Sequence, residues 1–353
     1  MKIFLIIPSL KQGGAERVIS ELANEFALKE HEVHVVILAI SEDFYSLHPG
    51  IRIHRLGFLN KGAIKKQIVE INTFIKLRKL LNTEKPDVSL SFGTKYNILT
   101  ILASRFLNLK VFVSDRSNPK KKIAWHINLL RQLTYRFATG VIAQTSLAKE
   151  IQERIAWNKN ITVIPNPVKQ VKFFHEIKRE KIILNVGRLV PEKGQKYLLE
   201  VFKKLNAPNW KLVILGDGPL RKNLQNQAKK LQIENNVIMP GAVNNVDEWL
   251  AKASIFALPS VSEGFPNALQ EAMAASLPCV SFDCDAGPRD IIEDGVNGLL
   301  VEPYNVDDFS EKLALLMNNA ELRMSIGTEA KKIKKKLDIS IIADNYLKFC
   351  TKN

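Results

Sequence analysis

Short apolar runs of strand length alternate with amphipathic segments of helical length along almost the whole chain. Such alternation is typical of α/β proteins, in which crossover helices join buried parallel strands. The runs form two series. The first comprises Lys2–Ile7, Glu32–Ala39, Val88–Phe92, Lys110–Ser114, Gly140–Ala143 and Ile161–Ile164. The second comprises Lys181–Val186, Lys211–Leu215, Val237–Pro240, Ile255–Leu258, Cys279–Phe282 and Gly298–Val301.

A proline pair separates the two series. Pro165-Asn166-Pro167 and the polar stretch that runs on to Glu180 indicate an interdomain hinge. The 353 residues suffice for two domains that each bury a core. We predict one domain over residues 1–168 and a second over 169–337, with a final helix at about 338–353 packing back on the first. Helical patterns between the strands include Ala15–Leu28, Lys65–Leu81, Ile123–Phe137, Gln195–Leu205 and Leu220–Leu231.

Positive charge is concentrated in the first half of the chain. Residues 1–170 contain 26 Lys and Arg against 13 Asp and Glu, whereas residues 171–353 contain 25 against 23. A nucleic acid, an anionic lipid or a phosphorylated acceptor would suit this charge. No motif of a nucleic-acid-binding family accompanies it. No apolar run approaches the length of a membrane-spanning helix or a signal peptide, so we expect a cytoplasmic protein.

Three loops follow predicted strands and carry glycines. The first, Lys11–Arg17, contains Gly13 and Gly14 and opens a helix, whose N-terminus favours an anion. The second, Gly187–Gly194, places Arg188 and Lys193 between two glycines, an arrangement that suits a diphosphate. The third is Gly216-Asp217-Gly218. The first and third are also compatible with a plain strand-to-helix turn, and the second with a solvent-exposed charged loop.

A fourth loop carries two carboxylates. Glu263 and Glu271 bracket a Gly-Phe-Pro-Asn sequence, and a helix is predicted to begin near Asn267. Carboxylates repel phosphates but accept hydrogen bonds from hydroxyls, so each Glu is expected to meet a sugar or ribose hydroxyl. Two surface glutamates beside an ordinary helix start are the alternative.

Other polar residues follow strands in both domains. Asp115 and Arg116 follow Lys110–Ser114, and the basic, apolar segment Ile123–Phe137 comes next. That segment is either an amphipathic core helix or a helix that docks on an anionic bilayer. Asp283-Cys284-Asp285 resembles a metal-binding pattern of another fold, but here it sits in a loop before Ala286–Asp290. The histidines show no ligand pattern, and we predict no metal site.

Taken together, these motifs resemble glycosyltransferase family 4, which has the GT-B fold of two Rossmann-like domains facing an interdomain cleft. The resemblance spans nearly the whole chain. Each motif is weak alone, and their order and spacing carry the resemblance. The matching features are Gly13-Gly14-Ala15-Glu16-Arg17, Pro165-Asn166-Pro167, Gly187-Arg188 with Lys193-Gly194, Gly216-Asp217-Gly218, and Glu263 with Glu271.

The resemblance implies roles for these residues. Arg188 and Lys193 would bind the diphosphate of a UDP-sugar, Glu263 would meet the donor sugar, and Glu271 would hold the ribose. Further donor-binding positions would be Gly14, Gly187, Gly216, Gly241, Gly264, Phe265, Pro266 and Asn267. Positions on the acceptor or sugar side would be Gly13, Glu16, Arg17, Asp115, Arg116 and Asp290. Arg116 stands where the family often has a histidine, and Asp290 stands near the place of a family glutamate.

The resemblance also implies a reaction. We expect transfer with retention of the anomeric configuration, without a cofactor or an essential metal, in which the leaving UDP phosphate takes the acceptor proton. The variant motifs are similar to those of enzymes that extend polyprenyl-diphosphate-linked glycans or lipopolysaccharide, so N-acetylgalactosamine and other hexoses are candidate sugars. We expect peripheral attachment to an anionic membrane through the basic N-terminal domain. A UDP-sugar epimerase of the same fold and a non-catalytic sugar-nucleotide-binding subunit are the alternatives.

Overall fold

The computed structural model describes residues 1–11, 13–39, 43–57, 66–172, 174 and 176–352, with the backbone alone for residues 66–69. Gln12 of the first predicted loop and Lys65 of a predicted helix lie outside the described residues. The chain divides into two compact units, Met1–Pro167 with Ile339–Asn353 and Val168–Asp338. We call them the N-terminal unit and the C-terminal unit.

The N-terminal unit is built on a parallel sheet of seven described strands with the order β3-β2-β1-β4-β5-β6-β7. These strands are β1 (Lys2–Ile7), β2 (Glu32–Ile37), β3 (Arg52–Arg55), β4 (Val88–Phe92), β5 (Lys110–Ser114), β6 (Gly140–Ala143) and β7 (Ile161–Val163). β1 pairs with β2 on one side and β4 on the other, and it is apolar and buried from Ile3 to Ile7. Burial on both faces explains its continuous apolar sequence.

Helices connect these strands and cover the sheet. They are α1 (Gly14–Leu28), α2 (Lys66–Glu84), α3 (Thr94–Ser104), α4 (Trp125–Tyr135) and α5 (Ser146–Ile155). The last helix, α14 (Ile339–Lys352), belongs to this unit although it ends the chain. It packs near α1 through Lys29, whose ammonium lies 2.8 Å from Asp344, and near β5 through the rings of Phe112 and Phe349.

The C-terminal unit contains a second parallel sheet, with the order β10-β9-β8-β11-β12-β13. Its strands are β8 (Ile182–Val186), β9 (Lys211–Leu215), β10 (Val237–Gly241), β11 (Ile255–Leu258), β12 (Cys279–Phe282) and β13 (Leu299–Val301). Its helices are α6 (Gln195–Leu205), α7 (Arg221–Lys230), α8 (Val246–Lys252), α9 (Asn267–Ala274), α10 (Pro288–Ile291), α11 (Val306–Asn318), α12 (Ala320–Ala330) and α13 (Ile333–Lys336). Aliphatic residues of the central strands and the inner face of α6 form one core, which includes Ile183, Leu198, Leu212, Ile255 and Val280.

The two Rossmann-like units confirm the predicted α/β architecture with parallel sheets. Predicted and observed strands agree to within two residues at each end, and β3 is the described strand that the pattern missed. β3 reads Arg-Ile-His-Arg and lies mostly exposed at the sheet edge, so it lacks the apolar run that marks a buried strand. Within the described residues, no helix combines the length and apolar character needed to cross a membrane.

The stretch after the proline pair packs on the C-terminal unit. Lys169 pairs with Asp247 at 3.1 Å. The Arg179 guanidinium donates to the carbonyl of Ala275 at 2.8 Å, and the Ser254 hydroxyl donates to the Glu180 carbonyl. The polar sequence up to Glu180, which we interpreted as part of a hinge, therefore contacts the C-terminal unit at Lys169, Arg179 and Glu180.

Candidate active site

The C-terminal unit has a switch point between β8 and β11. From β8 the chain proceeds through β9 and β10 to one side of the sheet, and from β11 it proceeds through β12 and β13 to the other. Crossover helices leave in opposite directions at such a point and open a crevice beyond the carboxyl ends of the two strands, where ligands of open α/β sheets bind. The predicted diphosphate loop follows β8, and the predicted glutamate loop follows β11.

Lys193 and Glu263 meet at this switch point. Lys193 Nζ donates to Glu263 Oε1 at 2.6 Å. The Glu263 side chain is 7% exposed and the Lys193 side chain 24%, so the pair is accessible mainly from the lysine side. A charge-assisted hydrogen bond of this length fixes both groups in position. The structure thus brings together two residues that we predicted to act on the donor.

Glycines let the neighbouring loops approach one another closely. Gly194 has a φ of +64°, and a Cβ there would lie 1.9 Å from the Pro259 carbonyl oxygen at the end of β11. Gly216 has a φ of +131°, and its Cβ would lie 2.0 Å from the Gly187 carbonyl oxygen. Both positions therefore require glycine, for backbone conformation and for space. They bring the loops after β8, β9 and β11 to one edge of the sheet.

Arg188 is exposed on the loop that Gly187 opens. The Gly187 amide donates to the Leu215 carbonyl at 2.9 Å, and the Gln195 side-chain amide donates to the Arg188 carbonyl at 3.1 Å. Gln195 is buried at the start of α6, and its hydrogen bond fixes the backbone of the loop at Arg188. Sequence reasoning overlooked this residue, although its place directly after Gly194 at a helix start was a usable signal.

The loop after β11 leads into α9. Phe265 and Pro266 are buried, the helix begins at Asn267 as predicted, and Glu271 lies in its second turn. Gly264 is half-buried between Glu263 and Phe265. This loop presents backbone at the same edge as the ion pair, while Glu271 is carried by the helix behind it.

The loop after β12 packs against the glutamate loop. A Cβ at Gly287, whose φ is +99°, would lie 2.4 Å from Pro266 Cδ. Asp290 Oδ2 accepts from the Gly287 amide at 3.2 Å and so closes the short helix α10 at its start. The Arg289 guanidinium donates to both carboxylate oxygens of Asp283, at 2.9 and 2.6 Å.

A buried thiol lies beside the site. Burial raises the pKa of Cys284 to about 12, and the nearby Glu263 charge adds to the shift. The thiol is therefore protonated at neutral pH and is a poor nucleophile and metal ligand. In the part of the chain that the structure describes, no group of three His, Cys, Asp or Glu side chains is placed to hold a metal ion.

Gly241 is the last residue of β10, the edge strand that pairs with β9. Its φ is +98°, and a Cβ there would lie 2.5 Å from Arg221 Nη1. The Arg221 guanidinium donates to Asp217 at 3.1 Å and to the Met239 carbonyl at 2.9 Å. Arg221, which sequence reasoning also overlooked, thereby joins the Gly216–Gly218 turn to β10.

In the N-terminal unit, the loop after β1 lies at that sheet's own switch point, between β1 and β4. Gly13 precedes α1, and Tyr45 both donates to its carbonyl at 2.9 Å and accepts from its amide at 3.3 Å. A Cβ on Gly13 would meet the carboxylate of Glu16 at 2.2 Å, so Glu16 folds back over the loop. Gly14, the first residue of α1, is exposed.

Arg17, Asp115 and Arg116 of this unit were also predicted to bind substrate, and the structure gives each of them partners inside the protein. The Arg17 guanidinium donates to Glu21 at 3.1 Å and to the Pro167 carbonyl at 3.2 Å. Asp115 accepts from five side chains, those of Thr94, Asn97, Arg131, Tyr135 and Gln152, at 2.6 to 3.5 Å.

Arg116 is held between two aromatic residues. Its guanidinium lies 4.0 Å from the centre of the Phe92 ring and donates to the Tyr346 hydroxyl of α14 at 3.3 Å. Burial lowers the pKa of Arg116. Its Nε and Nη1 are buried and have no hydrogen-bond partner among the described residues. Substrate binding by this residue stays a prediction, and the structure shows it holding α14 against the end of β4.

Two Rossmann-like units of parallel sheet, each with a switch point, are the architecture of the GT-B fold. The whole chain superposes on the lipopolysaccharide outer core galactosyltransferase WaaB in its apo form with a TM-score of 0.79, covering 100% of this chain and 99% of WaaB at 24% identity. It also superposes on Anabaena Alr3699/HepE in complex with UDP-glucose, with a TM-score of 0.83, full coverage of both chains and 18% identity.

Sequence comparison then gives the family. Residues 12–170 match the model of Glycosyltransferase Family 4, and residues 168–333 match that of Glycosyl transferases group 1. A Campylobacter jejuni protein named GalNAc-alpha-(1->4)-GalNAc-alpha-(1->3)-diNAcBac-PP-undecaprenol alpha-1,4-N-acetyl-D-galactosaminyltransferase is 32% identical over 358 residues, which are 99% of this chain and 98% of that protein. The chain belongs to glycosyltransferase family 4 and is a glycosyltransferase.

Proposed function

We propose that the chain transfers a sugar from a UDP-sugar to a lipid-linked glycan, with retention of the anomeric configuration. The observation that carries the proposal is the Lys193–Glu263 pair at the switch point of the C-terminal unit, 2.6 Å apart and bordered by glycines that let the neighbouring loops approach one another. N-acetylgalactosamine is the first candidate sugar, because the Campylobacter relative is named for transferring it to an undecaprenol-linked glycan.

The donor diphosphate binds at Arg188 and Lys193. Both residues belong to the loop after β8, and Arg188 is exposed there. As the bond between sugar and phosphate breaks, negative charge grows on the leaving UDP. Positive groups fixed near that charge lower the barrier, because they need little rearrangement during the reaction. These two cations supply the charge that a divalent metal supplies in other transferases, so no metal is required.

The two glutamates bind hydroxyls. Glu263, nearly buried beside Lys193, accepts from a hydroxyl of the donor sugar, and Glu271 accepts from the ribose. A carboxylate that accepts a hydroxyl hydrogen bond fixes the orientation of the ring and so favours one reactive geometry. The backbone from Gly264 to Asn267 lines the sugar side. The acceptor is bound by the N-terminal unit, where Gly13, Gly14 and Glu16 lie at the first loop.

Retention follows from attack on the face that the UDP leaves. The acceptor hydroxyl forms the new bond to the anomeric carbon as the bond to phosphate breaks, and the leaving phosphate oxygen takes the hydroxyl proton. No protein side chain forms a covalent bond in this scheme. Glu263, the carboxylate that we place beside the donor sugar, is paired with Lys193, which suits hydrogen bonding better than nucleophilic attack.

The test is a donor panel. Purified protein is incubated with UDP-, GDP- and ADP-sugars, with and without a bacterial lipid extract, and released nucleotide and glycolipid product are measured. We expect release from one UDP-sugar, stimulated by lipid and unaffected by EDTA, and a product cleaved by an α-specific glycosidase.

Other outcomes would contradict the proposal. UDP release that ignores lipid, with an altered free sugar as product, would indicate an epimerase. Binding of a UDP-sugar without turnover in any mixture would indicate a binding subunit. A β-linked product would exclude retention, and loss of turnover in EDTA that magnesium restores would exclude the metal-independent mechanism.

A further inference from the structure

Helix α4 turns its leucines toward solvent. Leu129, Leu130 and Leu133 are 46%, 43% and 38% exposed, Trp125 at the start of the helix is 78% exposed, and Phe137 just beyond its end is 42% exposed. These positions recur at the three- and four-residue spacing that places them on one side of a helix. We call these five residues the apolar stripe.

Polar contacts fix the opposite side of α4 in the protein. Arg131, Thr134 and Tyr135 are buried there. The Tyr135 hydroxyl donates to Asp115 at 2.8 Å and accepts from Asn97 at 2.9 Å. The helix of a globular protein ordinarily buries its leucines and exposes its charges. In α4 three leucines are exposed while Arg131 is buried, and the buried hydrogen bonds, with the packing of Ile127 and Tyr135 on the core, keep the helix from rotating to hide the stripe.

Aromatic and arginine side chains extend the stripe onto the end of α3. Phe106 is 89% exposed. The Arg105 guanidinium lies 4.1 Å from the centre of the Phe137 ring and 4.9 Å from that of Phe106, and Arg136 lies 4.7 Å from Phe137. Rings with cations at their faces are suited to the boundary between lipid chains and headgroups.

The charge around the stripe has one sign. Residues 116–149 contain seven Lys and Arg but no Asp or Glu. Lys120, Lys121 and Lys122 are exposed directly before α4. An apolar stripe in a segment whose acidic and basic residues are all basic complements a surface that is apolar beneath and negative on top, which is an anionic bilayer.

We propose that the apolar stripe docks the N-terminal unit on an anionic lipid bilayer, with Trp125 and the leucines among the acyl chains and the neighbouring Lys and Arg at the headgroups. The proposal rests on the proposed function, since an enzyme that extends a lipid-linked glycan works at a bilayer surface. It goes further by assigning the contact to one helix face rather than to the overall positive charge.

Vesicle flotation tests the assignment. Full-length protein is mixed with phosphatidylcholine vesicles containing about 30% phosphatidylglycerol and with vesicles of phosphatidylcholine alone. We compare the wild type with the triple variant Leu129→Ser/Leu130→Ser/Leu133→Ser. The matched control is Leu315→Ser, because Leu315 is an exposed leucine, 49% accessible, on α11 of the C-terminal unit. For charge, Arg105→Gln/Arg136→Gln is compared with Lys229→Gln/Lys230→Gln, which removes two exposed cations of α7.

We expect the wild type to float with anionic vesicles and the triple variant to lose at least about tenfold in partitioning, while Leu315→Ser floats like the wild type. The Arg105/Arg136 variant is expected to lose binding more than the α7 variant. Circular dichroism and melting curves show whether each variant is folded. Brominated lipid is expected to quench wild-type tryptophan fluorescence, with that quenching largely lost in Trp125→Phe, a conservative change at a side chain that is 78% exposed.

Three results would overturn the proposal. They are a wild type that ignores anionic vesicles, a triple variant that floats normally, and stripe variants that convert a wild-type dimer to a monomer in solution, which would assign the stripe to a second copy of the chain. Donor hydrolysis in detergent separates this proposal from the proposed function. If the triple variant turns over normally in detergent but not on vesicles, the proposed function and the docking surface are both supported. If the wild type binds vesicles but shows no turnover in either condition, the docking surface is supported and the proposed function is contradicted.

Discussion

Lys193 Nζ lies 2.6 Å from Glu263 Oε1, although the two residues are 70 positions apart in the sequence. The pairing exists because β8 and β11 are neighbours in the sheet, so the loops that follow them share one edge. In this state the lysine charge is already neutralised by a carboxylate. A diphosphate that binds Lys193 must share it with Glu263 or displace that residue, which then becomes available to a sugar hydroxyl.

Lys193→Ala removes a cation that we place at the leaving diphosphate. We expect turnover with the preferred UDP-sugar to fall about 10²- to 10³-fold, as it does when one group that stabilises developing charge is removed. Lys196→Ala is the matched control, since Lys196 is exposed on α6 and contacts the Tyr197 ring. Single-turnover kinetics measure both. Equal rates for Lys193→Ala and the wild type, in folded protein, would contradict the role of this lysine.

Glu263→Gln keeps the shape of the side chain and removes its charge. Because Lys193 then has no anionic partner in the free protein, we expect UDP to bind several-fold more tightly, about 1 kcal/mol. Transfer is expected to slow, because the amide is a weaker acceptor for the sugar hydroxyl. Calorimetry measures the UDP affinity, and steady-state kinetics measure turnover. Weaker UDP binding in this variant would mean that Glu263 positions Lys193 rather than competing for it.

Gly194→Ala combines a left-handed backbone with a steric clash. Gly194 has a φ of +64°, and its Cβ would lie 1.9 Å from the Pro259 carbonyl oxygen. Gly295→Ala is the matched control, because its φ is +77° but no atom lies within 4 Å of its Cβ. We expect Gly295→Ala to reduce the free energy of unfolding by about 1 kcal/mol and Gly194→Ala by about 3 kcal/mol. Urea unfolding followed by circular dichroism compares them, and equal losses would show that the loop yields without cost.

Most of the fold could be predicted from the sequence because parallel strands buried on both faces leave continuous apolar runs. The central strands β1 and β8 show this pattern clearly. The edge strand β3 does not, since its arginines and histidine are mostly exposed. A strand that is held by one neighbour and faces solvent needs no apolar sequence, so pattern alone cannot find it.

For the candidate site, the sequence indicated candidate residues but not the contacts between them. Glycine loops and helix starts mark the carboxyl edge of a sheet in sequence, so Lys193 and Glu263 could be chosen separately. Their contact depends on strand order, which local sequence does not encode. Asp115 was chosen in the same way, and local sequence did not show that five side chains within the N-terminal unit donate to it. Its contact with a substrate stays a prediction.

Asp115→Ala tests whether this carboxylate organises the N-terminal unit. The change would leave the buried Tyr135 hydroxyl and the Gln152 and Arg131 side chains without their shared acceptor. We expect a loss of about 3 to 5 kcal/mol in the free energy of unfolding, as for removal of one partner from a buried charged network. Asp344→Ala, which removes an exposed partner of Lys29, is expected to cost less than about 1 kcal/mol. Differential scanning calorimetry makes the comparison, and similar losses for both would contradict the interpretation.

One buried histidine of the same unit, His34, and one half-buried histidine, His54, predict sensitivity to acid. His34 is fully buried between Phe4 and Glu32, and its Nδ1 lies 2.9 Å from Nε2 of His54. Burial lowers the pKa of both rings below the ordinary value of 6.5. The Nε2 of His34 donates to Glu32, so the Nδ1 of the neutral His34 ring accepts from His54 Nε2. A second proton on His34 would sit on Nδ1 and face the proton of His54 Nε2.

Because the folded state favours the neutral rings, the stability that they contribute is present above pH 6.5 and is lost as the pH falls through the lower folded pKa values. We expect the melting temperature of the N-terminal unit to fall between about pH 7 and about pH 5, and to fall less in His34→Leu. His48→Leu, at an exposed histidine of the same unit, is the control and is expected to follow the wild type. A His34→Leu melting profile parallel to the wild type would assign the acid sensitivity to other groups.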